Sequence, residues 1–397
     1  MLIDEIRGLA DRFHREVVEN RRFLHTHPEL SFQEFRTSAF IKERLTIMGI
    51  PWKAMAGTGV VALIKGDGPS NQTIALRADM DALPIKENNI IPFASQNPGV
   101  MHACGHDAHT ASLLGTAAIL QTLKGWINGT IKLIFQPGEE KLPGGASLMI
   151  KEGVLEQPRP AVVIGQHCMP SIGTGKIGLR KGAFMASMDE LYVSVKGKGG
   201  HGAMPHQNID PVLISAHIIV ALQQVVSRWT NPTLPGVLSF GKLRADGATN
   251  IIPGEVLLEG TFRTFDEAWR TEAHQRMAAM SEGIANSMGG SCTFTIQRGY
   301  PVLLNEEKLT GEIAGFAEEY LGKENVVNVD LWTAAEDFSY YSQTADSCFY
   351  LLGTGNPEKQ TTSALHTPTF NIDEDALTLS TGLMAYLAIR RLEKSHA

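Results

Sequence analysis

Cysteine is scarce in this chain: four in 397 residues, with no C-x-x-C pair. That argues against a disulfide framework, so a reduced, cytoplasmic setting is the default expectation. Long hydrophobic runs are missing as well. The longest nearly apolar run, Leu213 to Leu222, has ten residues and contains His217, whereas a membrane span needs roughly 20. There is no basic block. Lys+Arg 35 against Asp+Glu 42 leaves a net charge of −7, which makes nucleic acid a poor partner. The start, MLIDEIRGLA, is acidic and helical in pattern and lacks the basic-then-apolar form of a signal peptide. Neither an internal repeat nor a low-complexity stretch occurs. What remains is ordinary globular composition, 43% hydrophobic and 19% charged, with a length suited to about one to three domains. Several of the 39 glycines cluster beside His and Glu, and the chemistry is sought there.

Apolar steps of three and four predict helices over about 2–24 and 31–48. Ser31 with Glu34 fits a capping box that opens the second. Strand-like runs follow at 59–64 and 73–77, the latter leading into ADMDALP, so Asp79 and Asp81 stand at a strand's C-terminal end. Residues 86–101 read as a loop. A helix over 107–124, a strand over 130–135 ending in QPGEE, a helix over 145–152 and a strand over 161–165 ending in QH come next. Strands alternating with helices predict a mainly parallel sheet covered on both faces.

After about Gly182 the pattern changes. Strand 189–196, helix 209–228, strands 236–243 and 252–263, helix 266–288 and strand 292–298 give the order β-α-β-β-α-β, the ferredoxin-like arrangement. Helix 305–321, strand 347–352 and helix 373–393 then resume the first pattern. The chain therefore reads as an α/β domain built from 1–183 and 299–397, interrupted by an α+β domain over 184–298.

The densest cluster of chemistry is MHACGHDAH. Cys104 and His106 stand two apart, and on a loop just before a helix both can turn toward one ion. Thiolate and imidazole suit zinc and its neighbours. The plain alternative makes Asp107 an N-cap and the histidines ordinary loop residues. Glu139 and Glu140 are adjacent carboxylates facing opposite ways, so one can bind an ion while the other serves a water as base. His167 follows strand 161–165, and His366 lies in the polar loop SALHTPTF. His25 and His27 read as structural. Cys104, His106, Glu140, His167 and His366 make five potential ligands. A single tetrahedral zinc takes four, so five suggest two ions with shared ligands. Glu139 is then left as the base, and Asp81 can orient a ligating histidine. Strand ends are where open α/β sheets bind ligands. In KGKGGHGAMPH, His201 lies on a permissive glycine-rich loop and can offer a donor to a polarised carbonyl. Asn250 and Arg263 are polar groups at the end of, or within, apolar strands, and Arg is the natural bidentate clamp for a carboxylate.

ALRADMDALPI, MHACGHDAHTA, FQPGEE, GQH, GKGGHGAMPH, TNIIP, AEDFSYY and LHTPTFNIDEDAL stand in this order. Together they resemble the amidohydrolase branch of the co-catalytic metallopeptidases, which includes bacterial aminoacylases, hippurate hydrolases and plant indole-acetyl-amino-acid hydrolases. The resemblance spans about residues 20–393. It implies a two-metal catalytic domain with an inserted lid-and-dimerisation domain, and two divalent ions (Zn, Mn, Co or Ni) on Cys104, His106, Glu140, His167 and His366. It further implies Cys104 in the bridging position, Glu139 as general base and His201 as the lid histidine that assists the carbonyl oxygen. Asn250 and Arg263 match positions near the substrate's carboxylate. Asp79 stands where peptidase relatives carry a histidine, which favours the amidohydrolase branch. The expected activity is hydrolysis of N-acyl amino acids by a homodimer with no membrane partner. The alternatives are a metallo-carboxypeptidase or dipeptidase on the same site, and a metal-dependent binding or storage protein.

Overall fold

The computed structural model describes residues 1–394. They divide into two compact units. One comprises Met1–Gly182, Leu304–Asp330 and the chain from Asp337 onward; the other comprises Ala183–Leu303 with Leu331–Glu336.

The first unit is a mixed α/β layer structure. Its eight-stranded sheet runs, edge to edge, Trp52–Met55, Gly59–Lys65, Thr130–Gln136, Thr73–Asp79, Val162–Gly173, Asp346–Gly355, Ile177–Leu179, Val326–Asn328. The four central strands, from Thr130–Gln136 to Asp346–Gly355, pair in parallel, as the alternation of strands and helices predicts. Every residue of Thr73–Asp79 is buried, the signature of a strand covered on both faces. The helix His106–Thr122 is buried over nearly its whole length and packs against Leu2–Thr26 and Ala376–Lys394.

Several local expectations are corrected. The second helix begins at Phe35, with Glu34 as an N-cap residue whose side chain makes no capping bond, so the Ser31–Glu34 capping box does not form. Both side chains are drawn instead to stronger partners in the interior, described below. The strand expected over 161–165 runs on to Gly173 and carries His167 inside it, because Asp346–Gly355 pairs alongside and places Leu351 opposite His167. His106 is not in a loop but is the first residue of its helix. Gly105, at φ +86°, makes the turn into that helix, and a side chain there would stand 3.1 Å from Cys168. Glycine is thus required on both counts. The short strands Trp52–Met55, Ile177–Leu179 and Val326–Asn328 carry too few residues to show a period.

The second unit holds a four-stranded antiparallel sheet ordered Gly236–Ala245, Glu255–Thr264, Asp189–Lys196, Ser291–Arg298. In Asp189–Lys196 burial alternates: Leu191, Val193 and Val195 turn inward, and Tyr192 is exposed. The inward face packs with Ile214 and Ile218 of helix Pro211–Leu222 and with Ala273 and Met277 of helix Glu267–Ser287. Asp210 caps the first of these helices by accepting the Val212 and Leu213 N–H groups, and Asp266 caps the second through Trp269 N–H. The helix expected over 209–228 stops at Leu222 and resumes as a π-turn, Val225–Trp229. Pro211–Trp229 is, among the described residues, long and apolar enough by length and composition to cross a membrane, which the ten-residue run understated. Ile214, Ile218, Leu222 and Val225 of this stretch belong to the unit's core.

Candidate metal centre

Two strand ends and the interior of a third strand converge in the first unit. Asp79 closes Thr73–Asp79, and Glu139 and Glu140 follow Thr130–Gln136 by three and four residues. The parallel register pairs Arg77 with Gly165, which brings His167 level with Asp79. Helix His106–Thr122 starts beside them and carries Cys104 on its approach. His366 arrives from the loop before the last helix. Its backbone sits at φ +60°, an uncommon conformation for a non-glycine residue that marks local strain, and its N–H is held by Ala103 O at 2.9 Å.

Cys104 is the hub. Its Sγ lies 3.3 Å from Nε2 of His167 and 3.3 Å from Nε2 of His366. The ligand-type atoms of Cys104, His106 and His167 all lie within 4.8 Å of one another, and so do those of Cys104, Glu140 and His366. One sulfur is therefore common to two three-residue groups. Each imidazole is aimed. His167 Nδ1 donates to Cys168 O at 2.8 Å, which leaves the Nε2 lone pair toward Cys104. His106 Nδ1 meets Asp81 Oδ1 at 3.2 Å, and its buried Nε2 has no hydrogen-bond partner. Glu140 Oε1 is likewise buried without a hydrogen bond, 3.3 Å from His366 Nε2. Orphaned, buried polar atoms facing one another are what a bound cation would satisfy.

The electrostatics point the same way. Burial pushes the Cys104 thiol well above its ordinary value, and Glu140, Glu139 and Asp79 push it further, so the thiolate needs a nearby cation. Burial opposes a charge on His106, but Asp79, Asp81 and Glu140 outweigh it and raise this imidazole to about 10. Carboxylates crowded into a dry site are thus drawing positive charge onto whatever can carry it. Burial, reinforced by His109, holds His167 well below its ordinary value and keeps it neutral for ligation.

Not every nearby group is available. His109 stands within reach of Asp79 and His106, yet its Nδ1 is held by Asp79 Oδ1 at 2.6 Å and its Nε2 accepts Cys168 N–H at 2.8 Å. It braces the site and has no lone pair left for an ion. Glu139 is buried beside His106 and Glu140 and accepts Asp337 N–H at 3.4 Å. It belongs to neither Cys104 group.

The six residues Cys104, His106, Glu139, Glu140, His167 and His366 are thus brought together. His201, Asn250 and Arg263 lie in the second unit. His201 pairs with Ile251 in a two-residue antiparallel ladder, and Gly202 N–H bonds Asn250 O at 2.8 Å, so His201 and Asn250 lie on neighbouring segments, both exposed. Arg263 lines a depression of about 450 Å³ on the open face of the sheet, with Tyr192, Lys242 and Glu259.

Sequence reading missed the buried brace beneath the site. Arg77, fully buried, donates to Asp79 Oδ2 at 2.6 Å, Asp337 Oδ1 at 2.8 Å and Gln136 Oε1 at 2.9 Å. Burial raises Asp337 to about 6 even against the pull of Arg77. The available signal was an arginine inside the otherwise apolar run TIALRAD. His25 and Asp107 are also structural: Asp107 Oδ2 accepts from His25 Nδ1 and Arg21 Nε, each at 2.8 Å.

Comparison with known proteins identifies the family. Residues 75–390 match the model of peptidase family M20/M25/M40. The N-acyl-L-amino acid amidohydrolase of Geobacillus stearothermophilus is 46% identical over 309 residues, covering 78% of this chain and 83% of that one. Thermostable carboxypeptidase 2 of Saccharolobus solfataricus is 37% identical over 98% of both chains. The crystal structure of the Bacillus subtilis YXEP protein, a dinuclear metal binding peptidase from the M20 family, superposes with a TM-score of 0.84 at 36% identity, covering 96% of this chain and 99% of that one. The chain belongs to peptidase family M20/M25/M40 and is a hydrolytic enzyme.

Proposed function

We propose that this chain hydrolyses the amide bond of N-acyl amino acids, releasing a carboxylic acid and a free amino acid. Cys104, His106 and His167 would hold one divalent ion, and Cys104, Glu140 and His366 a second. The observation that carries this reading is the single sulfur shared by both groups, beside a buried carboxylate, Glu139, that belongs to neither. Zinc, manganese, cobalt and nickel all suit this donor set. Such ions, when bound, supply Lewis-acid polarisation of a carbonyl and lower the pKa of water. Glu139 takes the proton of the attacking water at its carboxylate and returns it to the leaving amine. Asp81 fixes His106 in one orientation, and Asp337 N–H steadies Glu139.

The second unit is read as a ferredoxin-like lid and dimerisation domain, 184–298, inserted in a catalytic domain of 1–183 and 299–397. Its strand order supports the first part. Exposed Val212, Leu213 and Val220 on one helix support the second, since apolar faces of this kind pair in symmetric dimers. His201 donates to the developing oxyanion across that dimer, and Asn250 and Arg263 receive the substrate's carboxylate. The cytoplasm is the proposed setting.

The resemblance to a thermostable carboxypeptidase favours one second reading, cleavage of peptides at the same centre. Initial rates of metal-reconstituted protein on N-acetyl and N-benzoyl amino acids, set beside dipeptides, separate the two. Faster turnover of dipeptides than of every N-acyl amino acid selects the second. Glu139→Gln should keep its metal content, measured by mass spectrometry, and lose roughly 10²–10⁴ in turnover; a variant retaining a tenth of wild-type activity removes Glu139 from the base role.

A further inference from the structure

The segment Ser31–Glu34, between the first two helices, reaches the metal centre without supplying a ligand. Glu34 is completely buried. Its Oε1 accepts two backbone N–H groups, Phe32 at 2.9 Å and Gly138 at 2.8 Å, and its Oε2 accepts the Thr58 hydroxyl at 2.7 Å. One carboxylate therefore ties together its own loop, the approach to strand Gly59–Lys65 and the turn that carries Glu139 and Glu140. Two further features press on that turn. Phe32 sits at φ +65°, a left-handed conformation that costs a non-glycine residue energy and persists where its surroundings enforce it. Its ring lies where a side chain on Gly138 would stand, 2.3 Å from the nearest carbon, and Gly138 is itself at φ +59°. Ser31 completes the pattern. Its hydroxyl donates to Asp81 Oδ2 at 2.7 Å, the same oxygen that accepts Glu140 N–H at 2.9 Å.

We infer that Glu34 is a positioning residue for the Gly138–Glu140 turn: it holds the Gly138 N–H so that Glu140 faces Cys104 and Glu139 stands beside His106 without joining either Cys104 group. Helix capping does not account for this carboxylate, because its side chain makes no capping bond. Core packing does not account for it either, since an apolar side chain of like size would satisfy packing and leave the Gly138 and Phe32 N–H groups unpaired. Ser31 acts in the same sense through Asp81, which meets both His106 Nδ1 and Glu140 N–H.

The inference rests on the proposed roles of Glu139 and Glu140, and cobalt binding tests it apart from turnover. Chelated protein is titrated with Co²⁺ while the sulfur-to-cobalt charge-transfer band and the bound stoichiometry are followed. Groups that orient ligands typically change metal affinity or activity about 10–100-fold. Glu34→Ala and Glu34→Asp should each weaken one of the two binding steps by about that factor. Asp keeps the charge but is one methylene too short to reach Gly138. The step that involves Cys104 with His106 and His167 should move less than about threefold. Glu34→Gln retains an oxygen for both backbone donors, turns the Thr58 hydroxyl into an acceptor, and should stay within about threefold of wild type at both steps. At saturating metal, kcat on an N-acyl amino acid should follow the same ranking with KM changed less than about threefold. Wild-type affinity at both steps in Glu34→Asp overturns the inference, and so does equal loss at both steps in every variant. The expected cobalt pattern in a protein that hydrolyses no N-acyl amino acid leaves the positioning role standing and sinks the substrate reading.

Discussion

Glu34 also makes a prediction about stability. Burial, followed by the charge of Asp81, raises this carboxyl from an ordinary 4.5 to about 7 against three hydrogen bonds that pull it down. The folded chain therefore binds a proton between about pH 4.5 and 7 that the unfolded chain has released. Stability from this group is present at acid pH and declines as pH rises through that window. A shift of about 2.5 units corresponds to roughly 3 kcal/mol lost by alkaline pH, of which roughly 2 kcal/mol is lost between pH 5.5 and 8.5. Glu34→Gln keeps both backbone bonds and removes the titration. In chelated protein, with no bound cations to offset the charge, the variant should gain on wild type by roughly 2 kcal/mol on going from pH 5.5 to 8.5. Urea unfolding followed by far-ultraviolet circular dichroism at the two pH values reads this difference. A gap between variant and wild type that is the same at both, within about 0.5 kcal/mol, refutes the raised carboxyl.

Arg77→Met should lower unfolding stability by about 3–5 kcal/mol, because Asp79 and Asp337 are left buried without their shared cation; a loss below about 1 kcal/mol in thermal or urea unfolding contradicts that account. Cys104→Ser replaces a sulfur common to both ligand groups by a neutral hydroxyl, so both ion-binding steps should weaken in calorimetric titration with Zn²⁺, and a loss confined to one step argues against sharing. Glu139→Gln and His201→Ala, each inactive, should restore about a quarter of the sites when subunits are exchanged, if His201 acts across a two-fold dimer; a mixture as inactive as its parents, with exchange confirmed, places His201 in its own chain or outside the reaction.

Much of the candidate ligand set was legible because its residue types are rare in combination and mostly lie near strand ends. A Cys and a His two apart, paired glutamates after QPG and a histidine after an apolar strand point to one sheet edge before any coordinate is known. The parallel sheet was legible for a similar reason, since strands such as Thr73–Asp79 alternate with helices of ordinary period. What local pattern could not convey was which polar residues turn inward. Ser31 and Glu34 satisfy a helix-capping motif by spacing alone, and that spacing says nothing of Asp81 or Gly138, which lie 50 and 104 residues away. Arg77 reads as a stray charge in a strand until Asp337, 260 residues on, closes on it. The sequence by itself determined which candidate donors are present, because the capacity to ligate is a property of residue type. Their orientation was decided only by tertiary structure, because the hydrogen bonds that aim His106, Glu139 and Glu140 join segments that meet only when the sheet is assembled.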